Sequence, residues 1–275
     1  MKFSTIRSET ARINEELKHV SLLFFEGLRE LFFPAACFLC GARPVFNKSP
    51  LSGFFCPDCA GDIVLTGPDA CPRCGELCDS RGREICSRCS GRTFYFDRCA
   101  AGAAYGGAVR DLVHILKFSG DLRAAFPLGR LAFLGAERAL NGERPDAVTA
   151  VPLHPLKKIR RGYNQAELIA RVVSAGLGVP YAGGLARRVR NTPSQGAGPG
   201  SRRHSNMSGA FLFTGKTLRR IGRGRSFAGN RPSPGRVFHI LLVDDVLSTG
   251  ATMSACARAL RQAGHLRVTG ATAAT

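Results

Sequence analysis

Residues 240 to 252 read ILLVDDVLSTGAT, and the fold turns on how this stretch is read. Ile240 to Val243 are apolar at every position, the pattern of a strand covered on both faces. Two adjacent acids, Asp244 and Asp245, follow. A small-residue loop of Ser248, Thr249, Gly250, Ala251 and Thr252 then feeds a helix. In open parallel sheets, ligands bind beyond the carboxyl ends of the strands, and the acids are expected to emerge there rather than join the core. The loop offers amide N–H groups, hydroxyls and the positive end of a helix, which together suit a phosphate. Carboxylates would repel that phosphate, so they must meet ribose hydroxyls or a bridging magnesium ion. A ribose 5-phosphate unit meets both requirements.

Working outward, residues 253–264 (MSACARALRQAG) read as the helix after the loop, and 237–243 (VFHILLV) as the strand before it. Residues 146–153 (DAVTAVPL) read as a second strand ending in a loop. Residues 108–118, 126–140 and 164–177 carry helical periodicity, the last closed by a glycine. Strands alternating with helices of this length predict an α/β domain with a mostly parallel, doubly wound sheet over residues 100–275.

The cysteines predict a different unit ahead of it. Eight of the 11 form four C-x-x-C pairs, Cys37/Cys40, Cys56/Cys59, Cys71/Cys74 and Cys86/Cys89. Each pair can turn two thiolates onto one tetrahedral ion, and two pairs close a structural zinc site. Gly41 and Gly75 directly follow second cysteines, where a left-handed residue lets the backbone curl. The spacing from Cys40 to Cys56 fits a zinc ribbon. Disulfides would need an oxidising compartment, for which nothing else in the sequence speaks. Spacing leaves open whether the pairs combine sequentially or cross over, and Cys78 competes as a ligand at the second site. Cys99 and Cys256 read as buried thiols. A cysteine-rich zinc-ribbon module is thus expected over residues 35–99, with zinc supporting its folding. Arg73, Arg81, Arg83, Arg88, Arg92 and Arg98 are expected to be solvated around it.

With a formal net charge of +19 over 275 residues, the chain calls for polyanionic ligands or partners. Leu22–Phe33 (LLFFEGLRELFF) is too short to span a bilayer and holds Glu26, Arg29 and Glu30, so an amphipathic helix within a 1–34 extension is expected, with no stable membrane insertion. No signal-peptide pattern is visible in the first thirty residues, which points to the cytoplasm. Residues 191–209 (NTPSQGAGPGSRRHSNMSG) are rich in turn formers and read as a mobile loop. Residues 215–237 form a basic insert with seven Lys or Arg and no acid. Either it is a surface loop, or it grips a nucleic-acid backbone through counterion release.

The motif at 240–252 resembles the signature of type I phosphoribosyltransferases, which bind phosphoribosyl pyrophosphate (PRPP) through two acids on the ribose hydroxyls and a loop around the 5-phosphate. Residues 151–170 (VPLHPLKKIRRGYNQAELIA), 187–195 (RRVRNTPSQ), 116–121 (LKFSGD) and 31–41 (LFFPAACFLCG) further resemble the ComF family, which joins a zinc module to a phosphoribosyltransferase-like domain. The resemblance implies PRPP with magnesium as ligands. It puts Asp244 and Asp245 on the ribose and Ser248, Thr249, Gly250, Ala251 and Thr252 on the 5-phosphate. Leu153, His154, Pro155 and Lys157 fall at the pyrophosphate. Arg161, Tyr163, Asn164 and Gln165 line the pocket or touch nucleic acid, although Asn164 reads equally as a helix cap. It also implies a link to natural transformation, single-stranded DNA and other DNA-uptake proteins. After PSQ, the sequence GAGPGS departs from the family's usual closing segment. Two function classes stay open: a phosphoribosyltransferase of unknown acceptor, or a non-catalytic nucleotide-sensing or DNA-binding module.

Overall fold

The computed structural model describes residues 36–78, 85–191, 207, 209–214, 227–228, 231–232 and 237–275. The 1–34 extension with the helix expected at Leu22–Phe33, Arg81 and Arg83, and most of the 191–209 and 215–237 stretches lie outside these residues.

In chain order the elements are α1 (Pro57–Gly61), β1 (Cys99–Ala103), α2 (Gly107–His114), α3 (Ala125–Leu140), β2 (Ala147–Ala150), α4 (Pro155–Arg161) and α5 (Gln165–Leu177). They continue with β3 (Ala186–Arg188), β4 (Phe211–Phe213), β5 (Phe227–Ala228), β6 (Arg231–Pro232), β7 (Phe238–Val246), α6 (Ala251–Arg261) and β8 (Leu266–Ala274). A π turn over Ile115–Ser119 prolongs α2.

Four strands form one sheet in the order β1-β8-β7-β2, each neighbouring pair parallel. Alternate residues of β7 point to opposite faces. Leu241 and Val243 enter a core with α3 and α5, while Ile240 and Leu242 enter one with α6. The fold is therefore mixed α/β with helices on both faces, as the apolar run at 240–243 requires. From β2 the chain passes through α4 and α5 to Tyr181, whose backbone bridges Val148. From β7 it passes through α6 to β8, the opposite way along the sheet. The direction changes between β2 and β7, and such switch points open a crevice at the strand ends.

Two of the four sheet strands carry no strand signal that the sequence reading recognised. Strand β1 is CAAGA and β8 is LRVTGATAA, both rich in small residues because neighbours press close, helix backbone on β1 and the Cys99 side chain on Gly270 of β8. A Cβ on Gly102 would stand 2.1 Å from the Leu131 carbonyl oxygen, and one on Gly135 would stand 2.7 Å from that of Ala100. Close approach of α3 to β1 selects glycine and alanine in both. A second difference concerns the acids. Strand β7 runs on through Val246, pairing Asp244 with Thr272, so the two aspartates lie within the ladder rather than after it. Asp245 is buried. The stretch after β2 also gains structure, because Pro155 starts α4 and the His154 ring caps it.

The cysteine-rich residues dock along the outer edge of β1. Leu65 makes an antiparallel bridge to Ala103, the Ala104 N–H donates to the Val64 carbonyl at 2.8 Å, and the Thr66 N–H donates to that of Gly102 at 3.0 Å. This covers an edge that would otherwise be open to pairing. Arg138 of α3 clamps the joint by donating to the Thr66 and Ala101 carbonyls.

Candidate functional site

The thiols fall into two groups, Cys37/Cys40/Cys56/Cys59 and Cys71/Cys74/Cys86/Cys89, each with all four sulfurs within 4.8 Å of one another. The pairs thus combine sequentially. Both first knuckles curl alike: Cys37 N–H donates to the Ala42 carbonyl and Cys71 N–H to that of Glu76, with Gly41 and Gly75 both at φ +76°. Cys78 stands apart, its sulfur 3.8 Å from the Asp69 carbonyl oxygen. Cys99 and Cys256 are buried thiols, as expected.

Burial raises the Cys37 thiol, but backbone N–H groups at Cys40, Cys56 and Leu39 outweigh it and bring it down to about 6. Cys71 comes down to about 7 against the same burial, through backbone at Cys86, Arg73 and Cys74. Burial pushes Cys59, Cys74 and Cys89 up. In each group one sulfur is thus lowered toward ionisation, and it stands beside three more. Four such sulfurs in tetrahedral reach fit zinc.

The second site lies where β2 and β7 end side by side. Val151 N–H donates to the Val243 carbonyl at 2.9 Å, so the loop after β2 begins beside the acids. On one face Asp245 pairs with Lys117 of the π turn at 2.6 Å. On the other, half-buried Asp244 lies near Arg188, Cys99 and Cys256. Burial, then repulsion from Asp245, pushes Asp244 up to about 8, with the Asp245 N–H, Lys117 and Arg188 opposing. A protonated acid poised this way would ionise on meeting a cation or hydroxyl donors.

Beyond β7, Ser248 and Thr249 are exposed, Gly250 takes φ +75°, and α6 starts at Ala251. The Thr249 hydroxyl accepts from the Ala251 N–H at 3.4 Å. Across the crevice, Lys157 is pushed down by burial and by its fellow cations Arg188 and Arg161. Positive charge gathered in this way attracts an anion with several charges.

The remaining residues singled out from sequence lie in the same loops. Leu153 and His154 are half-buried and Pro155 is exposed. The Arg161 guanidinium stands 5.8 Å from the Phe118 ring centroid. The Tyr163 hydroxyl donates to the Leu116 carbonyl, which braces the turn that carries Lys117. Asn164 occupies the cap position of α5, but its side-chain amide donates to the Val151 carbonyl at 3.0 Å instead of capping. Gln165 is buried, and its Oε1 has no hydrogen-bond partner among the described residues, an acceptor left for a ligand or water. Two residues went unassigned in the sequence reading, Lys117 and Arg188. Both sit in quoted stretches, LKFSGD and RRVRNTPSQ, and each becomes significant only when the fold sets it against an aspartate.

A paired zinc-binding arrangement docked on a parallel α/β sheet, with acids and a helix-leading loop at its switch point, defines the class. Residues 28–95 match the double zinc ribbon domain family. The chain is 30% identical over 244 residues to the "DNA utilization protein YhgH" of Escherichia coli O157:H7, covering 86% of this chain and 96% of that one. It is 26% identical to "Competence protein F" of Haemophilus influenzae, over 77% of this chain and 92% of that one. To "Competence protein ComFC" of Streptococcus pneumoniae it is 25% identical, over 83% and 94%. The chain belongs to the ComF family of competence and DNA-utilisation proteins. No helix among the described residues is long and apolar enough to cross a membrane.

Proposed function

We propose that the switch-point site binds PRPP with magnesium on a type I phosphoribosyltransferase-like domain, residues 100–275, and that the protein serves DNA uptake or utilisation in the cytoplasm. Residues 35–99 form its zinc module, and 1–34 an extension. The observation that carries this reading is the aspartate pair, one acid buried and one half-buried, beside an amide-rich, helix-leading loop. Asp244 and Asp245 hold the ribose hydroxyls, and Ser248 to Thr252 hold the 5-phosphate by amide and hydroxyl donors. Leu153, His154, Pro155 and Lys157 line the pyrophosphate, with Arg188 and Arg161 adding charge. Breaking the anomeric carbon–oxygen bond places negative charge on departing pyrophosphate, and these fixed cations stabilise it. Magnesium, bound with the ligand, supplies further neutralisation there. The bracing hydrogen bonds of Tyr163 and Asn164 hold the two flanking turns in place, and Gln165 offers an acceptor.

Calorimetry with PRPP and magnesium tests the reading. Binding is expected, and the Asp244→Asn, Asp245→Asn double variant should abolish it along with pyrophosphate release across a panel of nitrogenous acceptors. A wild-type protein that ignores PRPP would overturn the assignment. Binding without release for any acceptor would favour the second reading, a nucleotide-sensing or DNA-docking module. The departure at GAGPGS favours that reading, since a closing segment normally excludes water. Single-stranded DNA would be held electrostatically, with the basic insert as the grip, so affinity should fall steeply with salt and with neutralisation of Arg219 to Arg236.

A further inference from the structure

We propose that the second zinc ribbon is a strut that sets the phosphate loop, so that the geometry of residues 248–254 depends on metal at Cys71, Cys74, Cys86 and Cys89. The inference rests on the reading of 248–252 as a phosphate cradle. Arg88, inside the Cys86–Cys89 knuckle, is the positioning residue. Its guanidinium donates to the Ser248 carbonyl and, at 2.9 Å, to the Thr275 hydroxyl, and it pairs with the Glu76 carboxylate at 2.5 Å.

Glu76 belongs to the other half of the same cluster. It lies two residues past Cys74, and its carbonyl accepts from the Cys71 N–H at 2.7 Å. The Glu76–Arg88 pair therefore spans the two knuckles that one ion would tie together.

Fixing the Ser248 carbonyl also fixes a donor. In a trans peptide the carbonyl and the following N–H point in opposite directions. With the carbonyl held by the ribbon, the Thr249 N–H must point away from it, and a defined amide direction is what an anion cradle requires. Two further contacts from the same ribbon reach the loop. The Phe94 ring lies so close under Gly250 that an added Cβ would stand 2.8 Å away, and the Tyr95 N–H donates to the Ser254 hydroxyl at 3.0 Å. Residues 88 to 95 thus touch the start, the turn and the first helical turn of the 248–254 segment.

The test is hydrogen exchange of the 248–254 amides in the full-length protein, beside PRPP–magnesium calorimetry and zinc analysis. Arg88→Ala is expected to keep its zinc, speed exchange at 248–254 and weaken PRPP by about 10- to 100-fold, as for loss of a charged hydrogen bond. Arg88→Lys should recover only part, because a compact ammonium lacks the planar, spread donor geometry with which the guanidinium meets Ser248, Thr275 and Glu76. Stripping zinc with a chelator should speed exchange at the same amides in the wild type. If Arg88→Ala fails to fold, Glu76→Gln, which removes the charge across the knuckles, should speed exchange to a lesser degree. Unchanged exchange at 248–254, in a folded zinc-loaded Arg88→Ala or Glu76→Gln protein or after zinc removal, would overturn the strut. If the wild type fails to bind PRPP, the ligand assignment falls, while the exchange data still decide the strut.

Discussion

The two ribbons share a ligand pattern and the same first-knuckle hydrogen bond and glycine turn, yet they dock by opposite means. The first inserts Leu51, Phe55 and Ile63 into the core that α2 and α3 build on the Asp245 face of the sheet. Its Gly41 faces open space. The second rests on the sheet itself, where a Cβ on Gly75 would stand 2.6 Å from the Ala101 nitrogen, and it reaches the Asp244 face through Arg88, Phe94 and Tyr95. Neither Arg88 nor Arg73, stacked 5.3 Å from the Phe94 centroid, is the solvated arginine that composition suggested. A repeated metal motif fixes a local shape, and what surrounds that shape decides whether it is ballast for the core or a support for a site.

The largest effect that could break the comparison is metal removal. Zinc analysis should find about two ions per chain, and stripping both should unfold the ribbons, given apparent binding energies of about 10–16 kcal/mol in zinc-finger peptides. A single bound ion would deny one ribbon its metal-held shape. Next comes Phe55→Ala. The ring is 2% exposed, so denaturant unfolding should show a loss of about 3–5 kcal/mol. Below its melting point this variant should retain wild-type exchange at 248–254, since the first ribbon meets the sheet through apolar packing on the other face. Faster exchange there would erase the distinction between the ribbons.

How far the sequence discloses this arrangement depends on which physical signal each part carries. Zinc knuckles are local, so spacing picked out all eight cysteines that gather into the two clusters, but their pairing needed coordinates. Strand β7 is buried on both faces, and its aliphatic run is legible for that reason. Strands β1 and β8 are buried as deeply, but helix backbone presses on β1 and Cys99 crowds Gly270, so their residues are small and the periodic signal fades. Asp244 and Asp245 were legible as a pair because their chemistry is written in adjacent residues. Lys117, Arg188 and Arg88 act on that site from 56 to 160 positions away, and no window along the chain joins them to it.

Gly250→Ala probes the second ribbon more gently. The residue sits at φ +75° with Phe94 beneath it, so an alanine meets both backbone strain and the ring. A loss of about 1–3 kcal/mol is expected, with faster exchange confined to 248–254 and weaker PRPP binding. An unaffected loop would mean that Phe94 yields freely and gives no support.

The smallest effect expected is a pH slope, and it separates the two faces of the sheet. Asp245 has Lys117 at 2.6 Å, whereas Asp244 is raised by burial and by Asp245 to about 8 from an ordinary 3.8. Between those values the unfolded chain has lost a proton that the folded chain keeps. The folded state binds more protons, so stability is fullest below the lower value and declines as pH rises toward the higher one, by at most about 1.4 kcal/mol per pH unit. Asp244→Asn should flatten the decline between pH 5 and 8, roughly the window these values define, and stabilise the unliganded protein at neutral pH while removing its PRPP affinity. Denaturant midpoints at several pH values check the slope, and an unchanged slope in Asp244→Asn would show that Asp244 is ionised without ligand. If the slope flattens, the site stores as destabilisation what a cation or sugar hydroxyl recovers on binding, and the second ribbon's polar contacts hold the loop at the rim of that strained face.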